Sequence, residues 1–77
     1  MSQQFLKQID IPYSVQIIGF GAFYGCESLE SVFIPNSVEE IGDNAFSDCG
    51  NLKTVSISRN LSNIGKNAFG NAEVVVR

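Results

Sequence analysis

Apolar side chains recur along this chain at a fixed spacing of 23 residues, the distance that separates Ile11 from Ile34 and Ile34 from Ile57. Four further sets of identical residues keep this spacing: Ile18, Ile41 and Ile64; Gly19, Gly42 and Gly65; Ala22, Ala45 and Ala68; Phe23, Phe46 and Phe69. A constant period of this length is typical of repeat proteins, in which each short unit buries its apolar face by stacking on the next. The sequence therefore predicts columns of like side chains in a shared core.

The alternation around Val32 predicts a short strand in each unit. Val32 and Ile34 are two positions apart, so both side chains lie on one face of a strand. Pro35 ends this strand, because proline has no amide hydrogen to donate to a sheet. A sandwich of hairpins is the competing fold, but it needs two-residue turns such as Asn-Gly or Asp-Gly, and the sequence contains neither. The strands are therefore expected to be parallel.

The remainder of each unit predicts a second extended piece and a short helical turn. Residues 38–41 form the extended piece, which ends at Gly42, where glycine permits a positive φ. Ala45, Phe46 and Cys49 follow with the spacing of one face of a helical turn. This turn is expected to cover the side of the core opposite the first strand.

The chain is expected to form a single domain over residues 1–77, because it is too short for two cores. A partial unit at 6–10 precedes three repeats at 11–33, 34–56 and 57–77. The last repeat departs from the others, since Ser58 replaces the proline and Ala72 replaces the cysteine. Continuing the 23-residue period through it aligns Val75 with Leu29 and Leu52.

The chain resembles the BspA-like leucine-rich repeats in three segments: IPYSVQIIGFGAFYGC, IPNSVEEIGDNAFSDC and ISRNLSNIGKNAFGNA. The resemblance covers nearly all of residues 6–77. It implies an α/β repeat fold, a curved right-handed solenoid with short parallel strands on its concave side, and the short helical turns predicted above would lie on the opposite side. It also implies a place at the cell surface or outside the cell, because the family is found largely in microbial surface or secreted proteins that adhere to other molecules.

The outward positions of the predicted concave sheet form the candidate binding surface. If Val32 and Ile34 point inward, their neighbours Ser31 and Phe33 point outward. The corresponding positions of the neighbouring strands complete the set: Gln8, Asp10, Thr54 and Ser56. Phe33 is the most informative member, because a large aromatic side chain among small polar ones is typical of an interface anchor. Alternatively, Phe33 adds strand propensity or packs on Tyr13.

The first repeat carries apolar residues at positions that are charged in the second, since Ile17 and Phe20 align with Glu40 and Asp43. The candidate members of an apolar patch are these two residues, Tyr13 and Phe5. Such a patch can dock a partner, a second copy of the chain or an upstream repeat. Alternatively, residues 1–5 fold back over it.

Composition and charge narrow the range of partners. The content of 44% hydrophobic and 17% charged residues is that of a folded chain rather than a disordered one. The net charge of −3 argues against binding to nucleic acid or to an anionic membrane, which favour basic surfaces. No apolar run is long enough to span a membrane, and MSQQFLKQ lacks the charged-then-apolar layout of a signal peptide. The residues themselves therefore assign no compartment.

The sequence also lacks a recognisable catalytic or metal-binding set. It contains no histidine, so serine and cysteine have no usual general base. Cys26 and Cys49 share one inward position that Ala72 fills in the third repeat, which favours buried free thiols over zinc ligands. Asp43 and Asp48 lie near each other, but apolar residues interrupt the run of ligands that a calcium loop needs.

These features predict a non-catalytic binding module, without cofactor or metal, that presents its concave sheet to a protein or a glycan. The alternative is a self-assembling repeat fragment. Such a fragment forms a homo-oligomer through the open ends of the solenoid or through the apolar patch of the first repeat.

Overall fold

The computed structural model describes residues 8–77, and it has seven short β-strands within that range. The strands are β1 (Gln8–Asp10), β2 (Ile17–Ile18), β3 (Ser31–Phe33), β4 (Glu40–Ile41), β5 (Thr54–Ile57), β6 (Asn63–Ile64) and β7 (Glu73–Val76). All pairings are parallel: β1, β3, β5 and β7 form a four-stranded sheet in that order, and β2, β4 and β6 form a three-stranded sheet. The predicted parallel strands are confirmed, whereas residues 6 and 7 of the predicted partial unit lie outside the described residues.

Successive strands of both sheets pair 23 residues apart, except at the last strand. In the four-stranded sheet Val32 pairs with Ile9 on one side and with Val55 on the other. In the three-stranded sheet Ile41 pairs with its equivalents in the first and third repeats. Side chains of parallel partners in register point to the same face, so equivalent residues lie beside one another in columns. The predicted stacking of equivalent positions is confirmed in both sheets.

The last strand, β7, begins 19 residues after the start of β5, rather than 23. Val75 consequently pairs with Ser56, so its predicted alignment with Leu29 and Leu52 is wrong. The cause is a missing connection. In the first two repeats the segment that contains this leucine joins the turn to the next strand, whereas the third repeat enters β7 directly after Ala72. The shift moves Val75 from an inward position to an outward one.

One hydrophobic core is formed by inward side chains of both sheets and of the turns that follow the three-stranded sheet. At its centre Phe46 is fully buried, with its ring stacked on that of Phe23 at a centroid distance of 5.1 Å and on that of Phe69 at 6.1 Å. Such aromatic pairs contribute roughly 0.5–1.5 kcal/mol each beyond the burial of their area. The predicted column of phenylalanines is confirmed, and it links three consecutive repeats.

The segments predicted as helical turns are not helical. Asn44 and Asp48 have positive φ values of 59° and 57°, and the equivalent Gly21 and Gly25 have values of 58° and 76°. A left-handed residue at every fourth position breaks an α-helix, which needs consecutive right-handed residues. The Phe46 amide instead donates to the carbonyl of Ala68 in the next repeat, at 2.7 Å. Within residues 8–77, no helix is long and apolar enough to cross a membrane.

Gly42 has a different role from the one its position suggested. Its φ is not positive, so the prediction of a left-handed conformation there is wrong. A Cβ on Gly42 would instead lie 2.6 Å from the backbone nitrogen of Phe20 in the preceding repeat. The glycine is therefore required because two backbones approach each other closely at the end of β4.

Candidate binding surfaces

The outer face of the four-stranded sheet brings the predicted binding residues into two neighbouring rows. One row follows the register Ser31, Thr54 and Glu73, with the backbone of Gln8 paired to Ser31, and the other follows Asp10, Phe33, Ser56 and Val75. Val32 and Val55 occupy the strand positions between the two rows, and their side chains are buried in the core on the opposite face. Phe33 and Thr54 are exposed, and Ser31 is half-buried. The alternation predicted for this strand is therefore confirmed.

Phe33 is the centre of this face, and its ring is 47% exposed. The guanidinium of Arg77 lies over the ring, with its carbon 4.0 Å from the ring centroid. Arg77 also donates hydrogen bonds to Ser56 Oγ at 2.9 Å and to Asn36 Oδ1 at 3.0 Å. These contacts hold a cation against one side of the aromatic ring and leave the remainder of the ring exposed.

Sequence reasoning missed Arg77 and Val75 as members of this face. Val75 is 45% exposed and lies one strand beyond Ser56, on the same side as Phe33. A constant 23-residue period places Val75 at the inward leucine position. It therefore gives no indication that Val75 and Arg77 lie on the outer face of the sheet. The available signal was the run of three valines at the end of Glu73–Val76, because β-branched residues favour a strand over the end of a turn.

The outer surface of the first repeat carries four exposed apolar or aromatic side chains, called here the first-repeat patch. Its members and their exposed fractions are Tyr13 (70%), Ile17 (62%), Phe20 (76%) and Tyr24 (57%). Sequence reasoning missed Tyr24, because its equivalents Ser47 and Gly70 carry no charge and give no contrast. The predicted member Phe5, and the proposed cover by residues 1–5, lie outside the described residues.

A row of carboxylates in the second repeat lies beside this patch. Ile17 is the register partner of Glu40 in the three-stranded sheet, and both side chains are exposed. The Tyr24 hydroxyl donates a hydrogen bond to Asp48 Oδ2 at 2.8 Å. This bond and the nearby negative charge raise the pKa of Tyr24 above its ordinary value, because both favour the protonated phenol. Apolar and acidic side chains are therefore immediate neighbours along this surface.

A third feature is a groove of about 620 Å³ at the end of the core formed by the first repeat. Its lining includes Ile9, Ile11, Val15 and Phe23, which point inward in the manner of their equivalents in later repeats. Gly19 also lines it, and a Cβ there would meet nothing within 4 Å. This end of the core is thus more open than the interfaces between successive repeats.

The two cysteines are free, and their positions are those of core residues. Cys49 is buried, and its thiol donates a hydrogen bond to the carbonyl of Phe23 at 3.3 Å. Burial raises the pKa of the Cys49 thiol, which keeps it protonated and weakly nucleophilic. Cys26 is partly buried and packs against the core. In residues 8–77, no group of three or more histidine, cysteine, aspartate or glutamate side chains is placed to hold a metal ion.

Comparison with known proteins identifies one similarity. A family model described as a BspA type leucine rich repeat region (6 copies) matches residues 1–75. No curated protein and no solved structure matches the chain significantly. The match covers almost the whole chain, and Arg77 lies just beyond it.

Proposed function

The chain belongs to the BspA-type leucine-rich repeat family, and we propose that it is a non-catalytic binding module whose four-stranded sheet contacts a protein or a glycan. In this proposal the repeats form a right-handed solenoid with that sheet on the concave side. Right-handed connections support it, since nearly all crossovers between parallel strands of one sheet take that hand.

The observation that carries this proposal is the exposed ring of Phe33 among small polar side chains. Ser56 is its register partner on the next strand, Ser31 and Thr54 form the neighbouring row, and Arg77 lies over one side of the ring. An aromatic ring supplies apolar area with little loss of side-chain entropy, while hydroxyl groups and a guanidinium supply hydrogen bonds. Such a combination suits either a protein surface or the apolar and hydroxyl faces of a sugar.

Replacing Phe33 with alanine is expected to weaken binding to any partner of this face by more than about fivefold, which corresponds to about 1 kcal/mol. The labelled chain would be applied to a glycan array and to a protein array, and each interaction found would be titrated with the wild-type chain and with Phe33→Ala. Ile17→Glu, on the other surface, is the control and should leave these affinities unchanged. Interactions that Ile17→Glu weakens and Phe33→Ala leaves intact belong to the other surface, and a binding role for the sheet is contradicted if Phe33→Ala weakens none of the interactions found.

The second candidate function is self-assembly, and the open groove lined by Ile9 and Phe23 favours it. In this case a second copy covers the groove or pairs with the first-repeat patch about a twofold axis. Sedimentation velocity over a range of concentrations is expected to show discrete dimers that Phe20→Asp abolishes, if the patch is the contact. A monomer at every concentration would exclude this candidate for the isolated chain.

A further inference from the structure

Two exposed apolar residues of the first-repeat patch, Ile17 and Phe20, each have a carboxylate beside them in the second repeat. Ile17 pairs in register with Glu40. Phe20 precedes Gly21, whose amide donates to the carbonyl of Asp43 at 3.0 Å, so Phe20 and Asp43 lie on adjacent strands of backbone. The same surface therefore carries two parallel rows of side chains. They are called here the apolar lane, formed by Ile17 and Phe20 of the first repeat, and the acidic lane, formed by Glu40 and Asp43 of the second.

The spacing of the two lanes is that of neighbouring parallel strands, about 4.8 Å. A lysine or arginine side chain has an apolar stem and a charged head, and it buries the stem along apolar surface while keeping the head solvated. Lysine has a flexible four-carbon stem that can lie on the apolar lane and extend its ammonium toward the acidic lane. The rings of Phe20 and Tyr24 also attract cations through their π faces.

The charge distribution of the chain reinforces this arrangement. Residues 34–56 carry four carboxylates, Glu39, Glu40, Asp43 and Asp48, and a single cation, Lys53. All four carboxylates are exposed. A row of side chains with one sign of charge attracts ligands of the opposite charge and raises the rate at which they associate.

We propose that the outer face of the first two repeats is a second binding surface, separate from the four-stranded sheet, which docks a lysine- or arginine-rich segment of a partner protein. The cationic heads pair with Glu40, Asp43 and Asp48, and the stems pack on Ile17 and Phe20. A second copy of the chain is the poorer occupant of this face. Pairing two such faces about the patch would bring two acidic lanes close to each other, and like charges in register oppose association.

An oligolysine peptide is a direct probe of this proposal, with an oligoglutamate peptide of equal length as the control ligand. Titration of the isotopically labelled chain should shift amide resonances near Ile17, Phe20 and Glu40, while those near Phe33 and Thr54 stay unchanged. Binding should weaken as salt is added, because exposed charges are screened within about 10 Å at 0.1 M ionic strength. Shifts centred on the four-stranded sheet would overturn the proposal.

Two pairs of matched variants distinguish binding of oligolysine at this specific surface from non-specific attraction between opposite charges. Glu40→Gln removes a carboxylate from the acidic lane, and Glu73→Gln removes an exposed one from the other sheet. Phe20→Ser removes an exposed aromatic ring from the apolar lane, and its control, Phe33→Ser, removes an exposed ring from the four-stranded sheet. Glu40→Gln and Phe20→Ser are each expected to weaken oligolysine binding about fivefold, whereas the two controls change it less than about twofold.

Equal losses for Glu40→Gln and Glu73→Gln, with no loss for Phe20→Ser, would mean non-specific attraction and would overturn the proposal. Dimers of the wild-type chain that Phe20→Ser abolishes, and that oligolysine does not dissociate, would assign the face to a second copy instead. Failure of this proposal leaves the proposed function of the four-stranded sheet intact, because that function is tested by Phe33→Ala and by different ligands.

Discussion

Replacing Phe46 with alanine is expected to lower the free energy of unfolding by about 3–5 kcal/mol, a large part of the total. The ring is fully buried, and it is the middle member of the stack that joins Phe23 to Phe69. Removing a buried phenylalanine side chain typically costs about 3–5 kcal/mol, since it loses both transfer free energy and packing around the cavity. A chain of this length has a total stability of only about 4–12 kcal/mol. The loss is therefore about a third or more of the free energy of unfolding, and at the low end of that range it is equal to the whole.

Urea denaturation followed by circular dichroism measures this loss directly. Phe33→Ala is the matched control, because it makes the same chemical change at a half-exposed ring and is expected to shift the midpoint only slightly. A loss below about 1 kcal/mol for Phe46→Ala would mean that the aromatic stack is not central to stability. Equal losses for the two variants would mean that the burial of the ring has no influence on stability.

The repeat period made the core predictable from sequence. Val32 and Val55 were expected to stack because they share a position, and they are register partners in the sheet. The physical reason is that a parallel stack has one stable arrangement, in which apolar residues of successive repeats cover each other. Side chains that face the core are therefore fixed by spacing alone, and the phenylalanine column follows from the same rule.

The turns were not predictable from spacing. Ala45, Phe46 and Cys49 are spaced as on one face of a helix, but successive tight turns with left-handed residues produce the same inward positions. The better signal was chemical. Asn44 and Asp48 align with Gly21 and Gly25, and asparagine, aspartate and glycine are the residues that tolerate positive φ. Hydrogen bonds between repeats then replace those within a helix.

The candidate site was predicted in part. Phe33 and its polar neighbours follow from the alternation of a strand, which needs only local information. The contact of Arg77 with Phe33 joins residues 44 positions apart and depends on the shortened third repeat. A fixed period cannot reveal such a contact, because the shortening occurs where the sequence signal for the repeat is weakest.

Replacing Gly42 with alanine is expected to destabilise the protein by about 3 kcal/mol, the upper part of the range for forcing extra volume into a packed region. The added Cβ would lie 2.6 Å from the nitrogen of Phe20 and 2.8 Å from the carbonyl carbon of Gly19, and backbone atoms cannot move aside as side chains do. Gly19→Ala is the matched control, since its Cβ would meet nothing within 4 Å and its φ is not positive. That control should leave stability unchanged or raise it by about 0.4–1 kcal/mol, because alanine restricts the unfolded chain. Thermal and urea unfolding of both variants measure the difference, and a Gly19→Ala variant as unstable as Gly42→Ala would show that the loss does not come from the close approach of the two repeats.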